Sequence, residues 1–228
     1  MSDLVPVLNT AVLIENTETT TNSINCQLTA EITNDYKVLY TSGATTILGN
    51  LPRLKPVVAF IENDNFSLKL PAIIDQDASN GLNIFGFDFD KYNLQNGDTI
   101  EVSLKISELS QLCDMTDISV DWGSVNETSV QRVCDEVPQT TGTLQNGQTQ
   151  FNFTANLDND LQKLVLDYMR KQDKILIGFK AKDLNIYRFF QAKVNGFNIS
   201  GQVGDNYTGQ MTFSHQSWSI DLDSSLFS

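Results

Sequence analysis

Between Phe189 and Trp218 the chain reads FFQAKVNGFNISGQVGDNYTGQMTFSHQSW, and its apolar alternation changes parity once. Phe190, Ala192 and Val194 hold every second position, whereas Phe197 and Ile199 continue on the other parity after Asn195-Gly196. Side chains along a strand alternate between two faces, so such a slip would turn the strand inside out. One extra residue restores the faces, and the spacing therefore predicts a β-bulge at Asn195-Gly196. Gly201-Gln202-Val203-Gly204-Asp205-Asn206 reads as a turn, and Tyr207, Gly209, Met211 and Phe213 resume alternation on a returning strand. The pattern is that of an antiparallel, two-faced sheet without a catalytic constellation.

The same period recurs upstream. Residues 1–22 are polar and read as an arm or extended lead-in. Ile24, Cys26, Leu28, Ala30 and Ile32 alternate without error, and Asn34-Asp35 turns the chain into Tyr36 to Tyr40 as a hairpin. Thr41 to Pro56 is loop-like. Val57 to Ile61 is a short buried run, and after Glu62-Asn63-Asp64-Asn65 come Phe66, Leu68, Leu70, Ala72 and Ile74, a strand that Pro71 consigns to an edge. Leu82 to Phe89 is strand-like, and Asn96-Gly97-Asp98 leads into Ile100, Val102, Leu104 and Ile106.

Ser107 to Met115 marks the boundary, giving an all-β N-terminal domain over 1–110 and a second domain over 111–228. The second holds strands at Ile118 to Trp122, Val130 to Val133 and Phe151 to Ala155, then one helix at about 158–171. There Leu161, Leu164, Val165, Tyr168 and Met169 make a single stripe; Asp158, Asn159 and Asp160 stand at its start, and Arg170 and Lys171 at its end. Ile175, Ile177 and Phe179 resume β-structure, and Trp218 to Leu222 gives a last short strand. The fold class is mainly β.

This second half resembles the tail tube (major tail) proteins of long-tailed bacteriophages over about residues 117–223. The similarity lies in DISVDWGSVNETSVQRV, in TQFNFTANLDNDLQKLVLDYM and in the segment quoted first. It implies a β-sandwich or barrel with one flanking helix. Copies would close into a ring, usually of six, and rings would stack into a tube through which DNA passes. The partners implied are the chain itself and other phage tail proteins; DNA passes without being bound, and no membrane is involved. The place implied is the virion tail, after synthesis in the host bacterial cytoplasm. The family's long ring-stacking hairpin has its best candidate in Val137 to Gln148. The N-terminal hundred residues exceed a single tube domain and lack a matching helix. They read as a separate β-sandwich, outside the tube or contributing to the ring.

Chemistry is sparse. His215 is the sole histidine, with no nucleophile elbow beside it, and reads as a polar residue at a strand end. Gly43 and Gly49 lack the lysine of a phosphate loop. Asp75 to Gly81 has the start of a calcium loop, but its glycine is one position late and Gly86 stands where the terminal glutamate is needed, so it reads as an acidic turn. Asp88/Asp90 and Asp221/Asp223 are spaced by two, as on one solvated strand face, and Phe and Tyr residues read as core. Cys26, Cys113 and Cys134 are an odd set without CxxC spacing, read as reduced thiols. The N-terminus has no basic region or apolar core of a signal peptide. Sequons at Asn65, Asn126, Asn152, Asn198 and Asn206 follow from an Asn- and Thr-rich composition. No catalytic residue, cofactor or metal is assigned. The alternative to a tube protein is a baseplate or receptor-binding β-module recognising carbohydrate or another virion protein.

The formal net charge of −13 opposes nucleic-acid binding, because that affinity comes mainly from Lys and Arg on phosphates. Acidic side chains are expected to face the DNA path and basic ones to be fewer there. The protein is expected to show no affinity for a DNA duplex at moderate salt by fluorescence anisotropy. Light scattering should show assembly becoming easier as salt screens subunit repulsion. Tight, salt-sensitive DNA binding would overturn this expectation.

Overall fold

The computed structural model describes residues 10–33, 37–41, 55–74, 81–112, 115–130, 139–156, 158–181, 186–201, 207–217, 219–223 and 226. It is mainly β, with thirteen strands and one α-helix among the described residues. The strands are β1 (Thr10–Asn16), β2 (Ile24–Ile32), β3 (Lys37–Thr41), β4 (Pro56–Asn63), β5 (Phe66–Ile74), β6 (Leu82–Phe85) and β7 (Thr99–Gln111). After them come β8 (Met115–Val130), β9 (Gln139–Thr154), β10 (Lys174–Ala181), β11 (Ile186–Ser200), β12 (Thr208–His215) and β13 (Ile220–Asp223). The helix α1 is Asp160–Lys171.

The alternating strands β2 to β7 do not form an open sandwich. They run in the order β2-β3-β6-β5-β4-β7, and β7 pairs back onto β2 through Ile24↔Leu104 to Thr29↔Thr99, closing a six-stranded barrel. Its interior is filled by one parity of side chains, Leu28, Ala30, Leu39, Ala59, Ile61, Leu104 and Ile106 among them, each at most 1% exposed. β5 lies between β4 and β6, so it is not an edge strand. Pro71 sits one residue beyond the β6 ladder, which spans Ala72 to Ile74, and there its missing N–H breaks no β5–β6 bond. β6 ends earlier than its aromatic pattern suggests because Gly86 has φ +78, a conformation that turns the chain. Phe87 and Phe89 are nevertheless buried, in an aromatic cluster with Phe66 and Tyr92.

The segment read as a polar arm contains β1. Val12 and Ile14 are fully buried, and β1 is inserted between β7 and β10, with Ile14 opposite Ser110 on one side and Ile177 on the other. The boundary segment Ser107 to Gln111 is likewise no linker but the end of β7. Beyond the barrel the same thirteen-stranded sheet runs on as a second, open sheet region, β1-β10-β11-β12-β9-β8, with β13 paired to β11. The bulge in β11 falls where the parity slip predicts it, with Val194 opposite Phe213 and Gly196 opposite Thr212. One face of this sheet buries Phe151, Phe153, Phe190, Val194, Met211 and Phe213 with Val165 and Tyr168 of α1. A third cluster joins the barrel to the sheet through Val38, Val58, Ile73 and Phe85 against Leu176, Tyr187, Phe189 and Leu222.

The helix follows from its caps and its stripe. The Asn159 side chain accepts from the N–H groups of Leu161 and Gln162, and Gln172 ends the helix in the left-handed region at φ 58. Val165 is 0% exposed, Leu164 only half-buried. Val165→Asp is therefore expected to cost about 3 kcal/mol or more by burying an unpaired charge, and Leu164→Asp less. Lys163 is exposed and pairs only with Asp160 at 3.1 Å and the Asp158 carbonyl, so Lys163→Ala should change stability by roughly 0.5 kcal/mol or less. Urea denaturation of the three variants decides, and equal tolerance of all of them would mean that the helix is not packed.

Candidate functional site

The residues that could carry chemistry are scattered. His215 closes β12 but is buried rather than solvent-facing: it is 5% exposed, its Nε2 lies 2.8 Å from Thr149 Oγ1 in a hydrogen bond, and its ring centroid is 4.1 Å from that of Phe190. Burial pushes its pKa down to about 4, although Asp121 acts in the opposite direction. Asp88 and Asp90 are not on a strand; they lie in the turn after Gly86, where Asp88 accepts from the Lys91 N–H and Asp90 pairs with Lys37 at 3.6 Å. Asp221 and Asp223 do share the exposed parity of β13, and Asp221 is held by Arg188 through two bonds of 2.6 Å. Cys26 is half-buried inside the barrel, which raises its pKa. No group of three or more potential metal ligands occurs among the described residues. Residues 75–80, Gly43, Gly49, Cys113 and Cys134 lie outside the described residues.

A cleft of about 560 Å3 covers the junction of barrel and sheet, lined in part by Glu15, Lys69, Lys105, Asp173, Lys174 and Gln191. Its buried charges already have partners. The Lys69 ammonium donates to both Glu15 carboxylate oxygens at 2.9 Å, to the Lys174 carbonyl at 2.9 Å and to the Tyr168 hydroxyl at 3.3 Å. Burial and the Glu15 carboxylate together push the Tyr168 phenol pKa upward. Such a saturated ion pair holds elements together and leaves neither group free as an acid or base.

Two surfaces stand out instead. The first is the face of the second sheet opposite the Phe151–Phe213 core. Strand register aligns its side chains in rows: Asp117, Asn152, Gln210 and Asn198; then Ser119, Gln150, Thr212 and Gly196; then Asp121, Gln148, Ser214 and Lys193. All are exposed or half-buried. Within the first row Gln210 Nε2 donates to Asn152 Oδ1 at 3.2 Å, and Asn152 Nδ2 to Asp117 Oδ2 at 3.4 Å.

The second surface is the β8–β9 hairpin. Its register runs from Met115↔Phe153 to Val130↔Gln139, whereas β12 accompanies β9 only over Gln148–Thr154. Among the described residues Gly123–Val130 and Gln139–Asn146 therefore pair only with each other, as a ribbon of eight residues per strand, roughly 25 Å long. The strand expected at Ile118 to Trp122 and the start of the one expected at Val130 to Val133 belong to one strand, β8, residues 131–133 lying outside the described residues; the other edge of β8 has no ladder partner among the described residues. The candidate hairpin Val137 to Gln148 is one arm of this ribbon from Gln139 onward. No protein-family model and no curated protein matches the chain. The sheet face and the ribbon therefore have to be read from their own physics.

Because His215 binds its proton more weakly in the folded chain than its ordinary 6.5, the unfolded chain takes up more protons between about pH 6.5 and about 4. Its contribution to stability is expected to be complete above that window and to be lost as the pH falls through it. Denaturant midpoints compared for wild type and His215→Gln should diverge at neutral pH and converge toward pH 4. A wild-type profile parallel to that of the variant would sink the assignment.

Proposed function

We propose that the chain is a structural virion protein, the building block of a phage tail tube made of stacked homo-oligomeric rings around a DNA path. The observation that carries this reading is the β8–β9 ribbon. A two-stranded hairpin alone is marginal in water and needs a third strand or a packing surface. A second copy of the chain supplies one: the ribbon of one ring lies on the next, the part that the family's ring-stacking hairpin plays.

The edge of β8 that has no ladder partner among the described residues supports the lateral half of the assembly. Its segment, MTDISVDWGSVNETSV, contains neither Pro nor Lys, the residues that commonly blunt an exposed edge. A neighbouring copy that covers it satisfies the ladder, and a head-to-tail contact of this kind closes into a ring when the rotation allows. The N-terminal barrel is already closed and offers no such edge, so polymerisation falls to the second sheet. The role is structural rather than enzymatic, the partners are further copies and other tail proteins, and the site of action is the virion. A carbohydrate-binding module is less well supported, because the open sheet face carries no aromatic ring for a sugar to stack on.

Replacing residues 126–143 with a short glycine-containing turn removes most of the ribbon and none of the residues described in the core clusters. The variant is expected to match the wild type in circular dichroism and urea stability, and to form rings that do not stack in negative-stain electron microscopy. Wild-type-length tubes from the shortened protein, or a wild type strictly monomeric at high concentration, would overturn the reading.

A further inference from the structure

We infer that the cleft between barrel and sheet binds a small organic anion that carries a hydroxyl, whether or not the chain builds a tube. The cleft has room for such a molecule, about 560 Å3. Its walls come from both units: Phe60 of β4 and Lys105 of β7 from the barrel, Lys174 of β10 and Gln191 of β11 from the sheet. A ligand seated there touches both and ties one to the other.

The charge of the cleft runs against that of the chain. The sequence has 15 basic residues against 28 acidic ones, yet Lys69, Lys105 and Lys174 gather here against Glu15 and Asp173. Glu15 and Lys69 neutralise each other, so the cleft keeps the charges of Lys105, Lys174 and Asp173. Neither Lys105 nor Lys174 is in an ion pair among the described residues. Lys105 is also held in place. It stands opposite Phe60 in the β4–β7 register, half-buried, with its ammonium 5.6 Å from the ring centroid. A cation partly withdrawn from water attracts an anion more strongly than a freely solvated one.

Gln191 points to the same class of ligand. It is 8% exposed, and its Nε2 donates to the Lys69 carbonyl at 2.8 Å. A carbonyl accepts only from the amide nitrogen, which fixes the orientation of the side chain and the place of its oxygen. That Oε1 has no hydrogen-bond partner among the described residues. A buried acceptor left unmet carries its whole desolvation cost, and a ligand hydroxyl donating to it removes that cost. The lysines thus call for carboxylate or phosphate oxygens, and Gln191 for a donor in the same molecule.

Isothermal titration calorimetry of the full chain at constant ionic strength, with malate and with glycerol 3-phosphate, is expected to show one saturable site per chain. The tighter of the two identifies the anionic group as carboxylate or phosphate. Succinate and propyl phosphate, which lack the hydroxyls, should bind about fivefold more weakly than their counterparts. Lys105→Gln and Lys174→Gln should each lower the affinity about tenfold. Lys91→Gln, exposed and outside the cleft, should leave it unchanged. Saturation with neither probe overturns the inference, as do equal affinities with and without the hydroxyl. Binding that survives in the Lys105→Gln/Lys174→Gln double variant, or that Lys91→Gln weakens as much, overturns it too. If neither probe binds and the double variant alone fails to self-associate, the cleft takes an acidic segment of another copy instead.

Discussion

Glu15 is carried by β1 to the one place where barrel, sheet and helix meet, and the arrangement of all three depends on what it holds there. Its carboxylate takes the Lys69 ammonium from β5 and accepts from the Leu176 N–H of β10 at 3.3 Å. Lys69 in turn reaches the Tyr168 hydroxyl of α1, while its own carbonyl accepts from the Gln191 amide of β11. With side chains only 4% and 19% exposed, this is a buried pair. Losing one partner of such a pair strands the other charge, typically at about 3–5 kcal/mol. Apolar contacts in the third cluster supply adhesion, but hydrogen bonds have direction. They fix the angle at which the barrel sits on the sheet, and so where the free edge of β8 points relative to it.

The two β-structures solve the edge problem in opposite ways. Pairing β7 with β2 removes both barrel edges, whereas the second sheet has a sixteen-residue strand that, among the described residues, is paired on one side only. One chain thus combines a closed unit that cannot polymerise with an open one whose ladder is incomplete. Shared ladders at β1, buried clusters and the Glu15–Lys69 pair attach the first to the second. In the proposed tube the barrel is therefore carried by the sheet rather than built into the polymer.

Much of this was legible in the sequence wherever a strand buries one face. β2, β7, β11 with its bulge, and α1 with its Asn159 cap could all be read, because one solvated face imposes a period. β1 could not, since Val12 and Ile14 go to the second core and Leu13 packs on the third, leaving a run without alternation. β8 and β9 were broken into fragments because the ribbon segment is rich in Ser, Thr, Gly and Asn and its sequence offers little apolar alternation to read. The candidate site suffered most. Asn, Gln, Ser and Thr have the composition of turns, and only cross-strand register turns Asn152, Gln210 and Asn198 into a row. Closure of the barrel and burial of His215 likewise depend on pairings distant in sequence, Ile24 with Leu104 and Thr149 with His215.

The distribution of charge gives the remaining step. The formal charge of −13 is not spread evenly: on the polar face β9 and β12 carry no charged side chain, while Asp117 and Asp121 stand on the flanking β8 and Lys193 on β11. Part of the acid lies instead around the barrel, where Glu62, Asp64 and Glu101 line one surface depression and Asp88 and Asp90 occupy an exposed turn. Acid placed there does different work. In the proposed tube it would keep one particle from adhering to the next, a hazard for any polymer that displays many copies of one surface.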